Sequence, residues 1–234
     1  MLRTLLDATS LALARLKRHR RLQLAGPCIK VNLGSALAVA PGWVNLDASL
    51  NALVAGAPSW LLGILYRWSG SRVFFSREEY LRILRSNQFV HHNFKYALPL
   101  EDSSVDYIFS SHLLEHLFRD EAGQFLRECY RVLKPGGSAR ICVPDLHHAL
   151  VLFSKGEKLK ALEFFFVDSH TGRFNRHQYM YDFELLSAAL HEAGFVGVTR
   201  CTFRQGRVPD LRILDNRPEE TLYVEAQKPI QTGT

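Results

Sequence analysis

The chain has 234 residues, 47% of them hydrophobic, which suits one large α/β domain with short appendages and a core that needs no covalent staples. Its formal net charge of +6 is concentrated near the start, where Arg3, Arg15, Lys17, Arg18, Arg20 and Arg21 face Asp7 alone. The rest is near neutral, which argues against a nucleic-acid groove across the fold. Four cysteines (Cys28, Cys129, Cys142, Cys201) form no CxxC pair, so zinc-ribbon and thiol-redox spacings are excluded and reduced thiols in a cytoplasmic protein are expected.

Leu2, Leu5, Leu6, Thr9, Leu13 and Leu16 share one helical face, followed by the basic run 17–21. Residues 1–24 therefore read as a basic amphipathic helix, either packed on the domain or lying on a membrane surface or partner. Its charges follow the apolar stretch, the reverse of a secretory signal, and no apolar run approaches the roughly 20 residues of a membrane span.

The domain then runs over 25–234. Strands are expected at 28–33 and 43–46, joined by the turn-rich stretch "GSALAVAPG". Residues 50–88 read as a helical insert split near Gly70, whose second part opens on the cap Ser76-Arg77-Glu78-Glu79. The apolar part of this insert, 53–68 with Trp60 and Trp68, reads equally as a dimer surface or a lid. Short strands at 89–92 and 105–110 follow. Phe118, Ala122, Phe125, Leu126, Cys129, Val132 and Leu133 recur at helical spacing over 119–133, and "KPGG" supplies the stop. A strand at 139–143, helices near 146–167 and 182–193, and strands near 196–203 and 221–227 complete the order. The alternation predicts a mostly parallel sheet with helices on both faces, and the last two strands an antiparallel pair.

"SSVDYIFSSHLLEHL" (103–117) and "YRVLKPGGSARICVPD" (130–145) closely resemble class I S-adenosylmethionine-dependent methyltransferases, over about residues 28–227. The late "MYDFELL" and "EETLYVEAQK" look like a bacterial subgroup associated with sugar or cell-surface genes. The resemblance implies a Rossmann-like seven-stranded sheet, a C-terminal antiparallel hairpin, and S-adenosyl-L-methionine across the carboxyl ends of the first strands. It assigns cofactor contacts to Asn32, Gly34, Ser35, Asp47, Asn93, Phe94, Ser110 and Ser111. Asp47 would accept from both ribose hydroxyls, although it lies 13 residues past Gly34 where about 20 is usual. Three positions depart from the family pattern: Asn32 replaces an acid, Ala36 a second glycine, and Asn93 another acid. Ala36 is tolerable if its φ stays negative.

Methyl transfer to an alcohol needs a base, and histidine is the natural one. His112, directly after a strand, His147 or His148 after the next, and His177 in the polar stretch "DSHTGRFNRHQYMYD" (168–182) are the candidates; each also reads as an ordinary cap, packing or surface residue. His170, Arg173, Arg176 and His177 would hold an anionic or sugar acceptor. Glu115 is read as pointing elsewhere, an acid near a helix start. His91-His92 and His147-His148 are adjacent and cannot share an ion, HExxH is absent, and no metal is expected even though His112 and His116 stand at ligand spacing. The expected function is methyl transfer to a small-molecule, glycan or lipid-linked acceptor, at oxygen. The alternative is a methyltransferase-like scaffold without turnover, which Asn32 and Ala36 favour.

Overall fold

The computed structural model describes residues 12, 13, 15, 16, 21–166 and 176–230. Most of the expected amphipathic helix lies outside the described residues, as do His170 and Arg173.

Seven strands make one sheet in the order β3-β2-β1-β4-β5-β7-β6. They are β1 (Lys30–Leu33), β2 (Trp43–Asp47), β3 (Gln88–His91), β4 (Val105–Ser111), β5 (Leu133–Pro144), β6 (Val196–Cys201) and β7 (Thr221–Gln227). The first five pair in parallel, and β7 runs antiparallel between β5 and β6. The central strands are almost wholly buried, as a sheet covered on both faces requires. Strand periodicity sorts the two cores. Val31, Leu33, Val44, Leu46, Ile141 and Val224 face one cluster, while Trp43, Phe109, Cys142 and Tyr223 face the other.

The helices are α1 (Leu50–Val54), α2 (Ser59–Trp68), α3 (Arg77–Ser86), α4 (Arg119–Val132), α5 (Leu146–Ser154), α6 (Lys158–Glu163), α7 (Phe183–Glu192) and α8 (Leu211–Leu214). The insert is thus four pieces, since a 3-10 turn at Gly70–Val73 separates α2 from α3. The capping box at its second part is present: Ser76 accepts from the Glu79 amide and Glu79 reaches back. Helix α4 buries Ala122, Phe125, Leu126, Cys129 and Val132, the stripe the spacing predicted. The structure differs at "KPGG", which is the start of β5 rather than a turn before it. Gly136 sits at φ +80°, and a Cβ on Gly137 would lie 2.9 Å from the Lys134 carbonyl, so the strand passes this point only without side chains. The β6–β7 link contains the short helix Leu211–Leu214.

Arg140, fully buried on β5, ties the C-terminal half together. Its guanidinium donates to Asp215 at 2.6 Å and to Glu225 at 3.2 Å, and to the Thr202 and Gln205 carbonyls. A buried charge is tolerated only with such partners. The strand order reverses between β1 and β4, so the chain leaves β1 and β4 in opposite directions at the point where open α/β sheets bind ligands. Among the described residues no helix is long and apolar enough to cross a membrane.

Candidate active site

The β1–β2 crossover is closed by hydrogen bonds in place of a helix. Gly34, at φ +73°, donates its N–H to the Leu46 carbonyl at 2.9 Å. A Cβ there would stand 2.9 Å from that of Leu113, so only glycine fits. Ala36 is at φ +44°, so the condition of a negative φ is not met. The left-handed backbone costs an alanine about 1–2 kcal/mol. That geometry aims the Ala36 N–H at Asp47 Oδ2, 2.7 Å away, a charge-assisted bond that offsets the strain. Asn32 donates to the Ala38 carbonyl at 2.8 Å and to Asn45 at 3.1 Å, so its amide braces the short loop. Asp47 is 7% exposed; its Oδ1 accepts from the Ser49 N–H at 2.7 Å. Each oxygen thus has one backbone donor and retains further acceptor capacity.

Around this loop lie buried polar atoms with no hydrogen-bond partner in the protein: Ser35 Oγ, Ser49 Oγ, Ser110 Oγ and His92 Nε2. They stand after β1, β2 and β3 and at the end of β4. Unpaired buried groups are costly, and a polar ligand reaching them would satisfy them. Burial pushes the His92 imidazole down to about 4, so it stays neutral. Asn93 Oδ1 accepts from the Lys95 N–H at 3.0 Å. Phe94 is packed in the core, edge-on to Phe125 and to His92, and is a wall residue. Ser111 is half-buried at the end of β4.

On the β4 side, His112 adopts φ +53° and donates its N–H to the Cys142 carbonyl at 2.9 Å. The chain then makes a 3-10 turn, Leu114–His116, so the helical i, i+4 spacing of His112 and His116 does not apply. Glu115 does not point elsewhere; the earlier reading is corrected. Its side chain is buried, 3.3 Å from His112 Nδ1 and 3.8 Å from His116 Nε2. Burial alone would push its carboxyl up, but the two imidazoles outweigh that and hold it below the usual carboxylate range. His112 Nε2 lies 3.0 Å from Thr221 Oγ1 at the start of β7. The segment after residue 175 is drawn in because the Gln178 and Tyr179 N–H groups donate to the Glu115 carbonyl, at 2.7 and 3.3 Å. His177 consequently stacks beside His116, ring centres 5.1 Å apart.

The structure thus gathers His112, His116 and His177 around Glu115 and leaves His147 exposed at the start of α5. There its N–H caps onto Asp145, which also pairs with Arg200 at 2.8 Å. Glu115 and Thr221 are the residues sequence reasoning missed. The run "HLLEH" held a signal for Glu115; Thr221, 109 positions from His112, had none.

Residues 75–141 match the family model described as a methyltransferase domain. A "Probable S-adenosylmethionine-dependent methyltransferase" of Mycobacterium tuberculosis is 35% identical over 120 residues, 51% of this chain and 36% of that protein. A malonyl-(acyl-carrier protein) O-methyltransferase of Coxiella burnetii is 42% identical over 76 residues, 32% of this chain and 22% of that one. The chain therefore spans well under half the length of these curated relatives. The crystal structure of the S-adenosylmethionine-dependent methyltransferase SibL in its apo form superposes with a TM-score of 0.50 at 17% identity, covering 97% of this chain and 55% of the other, and shows the shared fold. Unpaired polar atoms at the switch point of this sheet order, in a chain whose β4–α4–β5 segment matches that domain model, make this part of the protein similar to class I S-adenosylmethionine-dependent methyltransferases.

Proposed function

We propose that the protein transfers a methyl group from S-adenosylmethionine to an oxygen of a small-molecule, glycan or lipid-linked acceptor. The observation that carries this reading is the set of orphaned polar atoms around Asp47. Ser35, Ser49, Ser110 and His92 offer hydroxyl and imidazole groups to a polar ligand where the fold places cofactors. Asp47, pre-oriented by two backbone donors, would hold the ribose hydroxyls, and Asn93 would stand on the adenine side. Bound there, the cofactor supplies a methyl group already activated by its sulfonium.

The chain's own part is alignment and proton removal. The Glu115 carboxylate, 3.3 Å from His112 Nδ1, favours the tautomer protonated there and leaves Nε2 as the basic atom. Thr221 Oγ1 occupies the place of an acceptor hydroxyl on Nε2. A substrate hydroxyl entering there gives its proton to Nε2, and Glu115 stabilises the imidazolium. Oxygen as the acceptor atom draws support from the Coxiella relative's name. A lipid-linked acceptor draws support from Trp60 and Ile64, apolar side chains exposed on α2. A cytoplasmic location, in part at a membrane surface, suits both.

Calorimetric titration with S-adenosylmethionine and S-adenosylhomocysteine tests the reading. Saturable binding, weakened at least a hundredfold in Asp47→Ala, is the expected result. A second reading, a scaffold without turnover, is favoured by Asn32 bracing the loop and by Leu113 packed over Gly34. Absence of heat and of any thermal shift at millimolar cofactor would select it.

A further inference from the structure

The geometry points to a divalent transition-metal site built by Glu115, His116 and His177, with zinc the best-suited ion. One ligand atom from each residue lies within 4.8 Å of the others. Two imidazoles and a carboxylate are a donor set for borderline ions such as zinc, rather than for calcium or magnesium, which prefer oxygen alone. Ligand atoms around a tetrahedral zinc stand roughly 3.3 Å apart, given bonds of about 2.0–2.1 Å. Side-chain rotations of about an ångström bring the three onto one ion. Three protein ligands leave a fourth position open to water or substrate.

Two further observations aim these side chains at an ion. First, both histidines are fixed from behind. His116 Nδ1 lies 3.2 Å from the Arg176 carbonyl and His177 Nδ1 lies 2.5 Å from the Phe164 carbonyl. A carbonyl can only accept, so each Nδ1 carries the proton and each Nε2 presents its lone pair. A carbonyl behind the ring is the arrangement that orients ligating histidines in metal proteins. Second, the carboxylate oxygens of Glu115 are buried and neither makes a hydrogen bond of good geometry, the 3.3 Å approach of His112 included. Such a group is expensive to bury without a cation or donors.

An ion here would also cross-link the chain. Glu115 and His116 lie on the turn after β4, and His177 on the segment that returns past it to α7. The ligand set stands beside His112, yet it does not depend on methyl transfer: an ion can bind whether or not cofactor does.

The test uses the full chain, stripped with chelator, desalted and titrated calorimetrically with Zn²⁺, with metal content measured after gel filtration. One equivalent per chain is expected, together with a rise in melting temperature. His177→Ala, at the half-buried rim, should weaken binding at least tenfold and abolish that rise, while the exposed His191→Ala should change neither. Glu115→Gln should weaken binding likewise; circular dichroism checks that each variant is folded. Cobalt substitution should give visible bands without thiolate charge transfer, since no cysteine belongs to the set. Failure of the wild-type chain to retain an equivalent, unchanged affinity in folded His177→Ala, or a thiolate band would each overturn the site. S-adenosylhomocysteine binding measured on the same samples separates this outcome from failure of the methyltransferase reading.

Discussion

Two buried carboxylates stand at the carboxyl ends of strands close together in the sheet, and they are held in opposite ways. Asp47, after β2, has a backbone N–H on each oxygen, from Ala36 and Ser49. Glu115, after β4, has no such donor and is faced by His112 and His116. Peptide donors cannot titrate or leave, so Asp47 is a fixed charge in a fixed place. Imidazoles can exchange protons, turn or take a metal, so the surroundings of Glu115 can change where those of Asp47 cannot. The same side-chain chemistry is locked by the backbone in one loop and left facing imidazoles in the other.

The largest expected effect falls on the fixed charge. Asp47→Ala removes two hydrogen bonds to an ionised acceptor, worth about 1.5–3 kcal/mol each. Urea unfolding should show a loss of about 3–6 kcal/mol, along with the loss of cofactor affinity. A variant of near wild-type stability would show that the loop closes without its carboxylate. On the other side, His112→Ala should lower kcat about 10²–10⁴-fold with KM little changed. If KM rises and kcat stays, His112 is a binding residue and the contrast with Asp47 fails.

Next in size is a pH effect from His92, whose N–H donates to the Asp47 carbonyl. An unfolded histidine takes its proton near pH 6.5, whereas the buried ring resists until about 4. The unfolded chain binds more protons over that window, so stability falls as pH drops from about 6.5 towards 4. The sum is about 3 kcal/mol, at 1.36 kcal/mol per pH unit. Denaturant midpoints for His92→Leu should be flatter over the same window; parallel curves would mean another group carries the acid sensitivity. The smallest effect is at the seam, where Leu113 packs on Gly34. Gly34→Ala should cost about 2 kcal/mol through its positive φ and the clash. Leu113→Ala in the same chain should recover part of it, the share due to contact rather than backbone.

The strands and α4 were legible because each carries a local physical signal. Apolar β-branched runs mark buried strands, and the 3.6-residue stripe from Ala122 to Val132 marks α4. The capping box at Ser76 is likewise local chemistry. The strand through "KPGG" was misread because proline and glycine there satisfy a strand whose partners, Asp106 and Lys228, lie far along the chain. Asp47 was singled out from the strand–turn–strand pattern together with the downstream family motifs, though nothing local revealed that Ala36 would be left-handed to reach it. Position along the chain placed Phe94 after β3 but did not reveal that it packs in the core against Phe125. The histidines suffered most. Judged by spacing along the chain, His116 and His177 had no reason to meet.

Local order along the chain, in sum, dictated the elements, their alternation and the carboxylate that ends β2, because propensity, capping and periodicity act over a few residues. Tertiary structure alone decided that Glu115 faces inward, that Thr221 answers His112, and that His177 joins His116. The last two contacts join positions 109 and 61 residues apart. They exist only because parallel strands and crossovers fold the exits of β4 and β5 and the start of β7 onto one rim, a geometry no short stretch of sequence encodes.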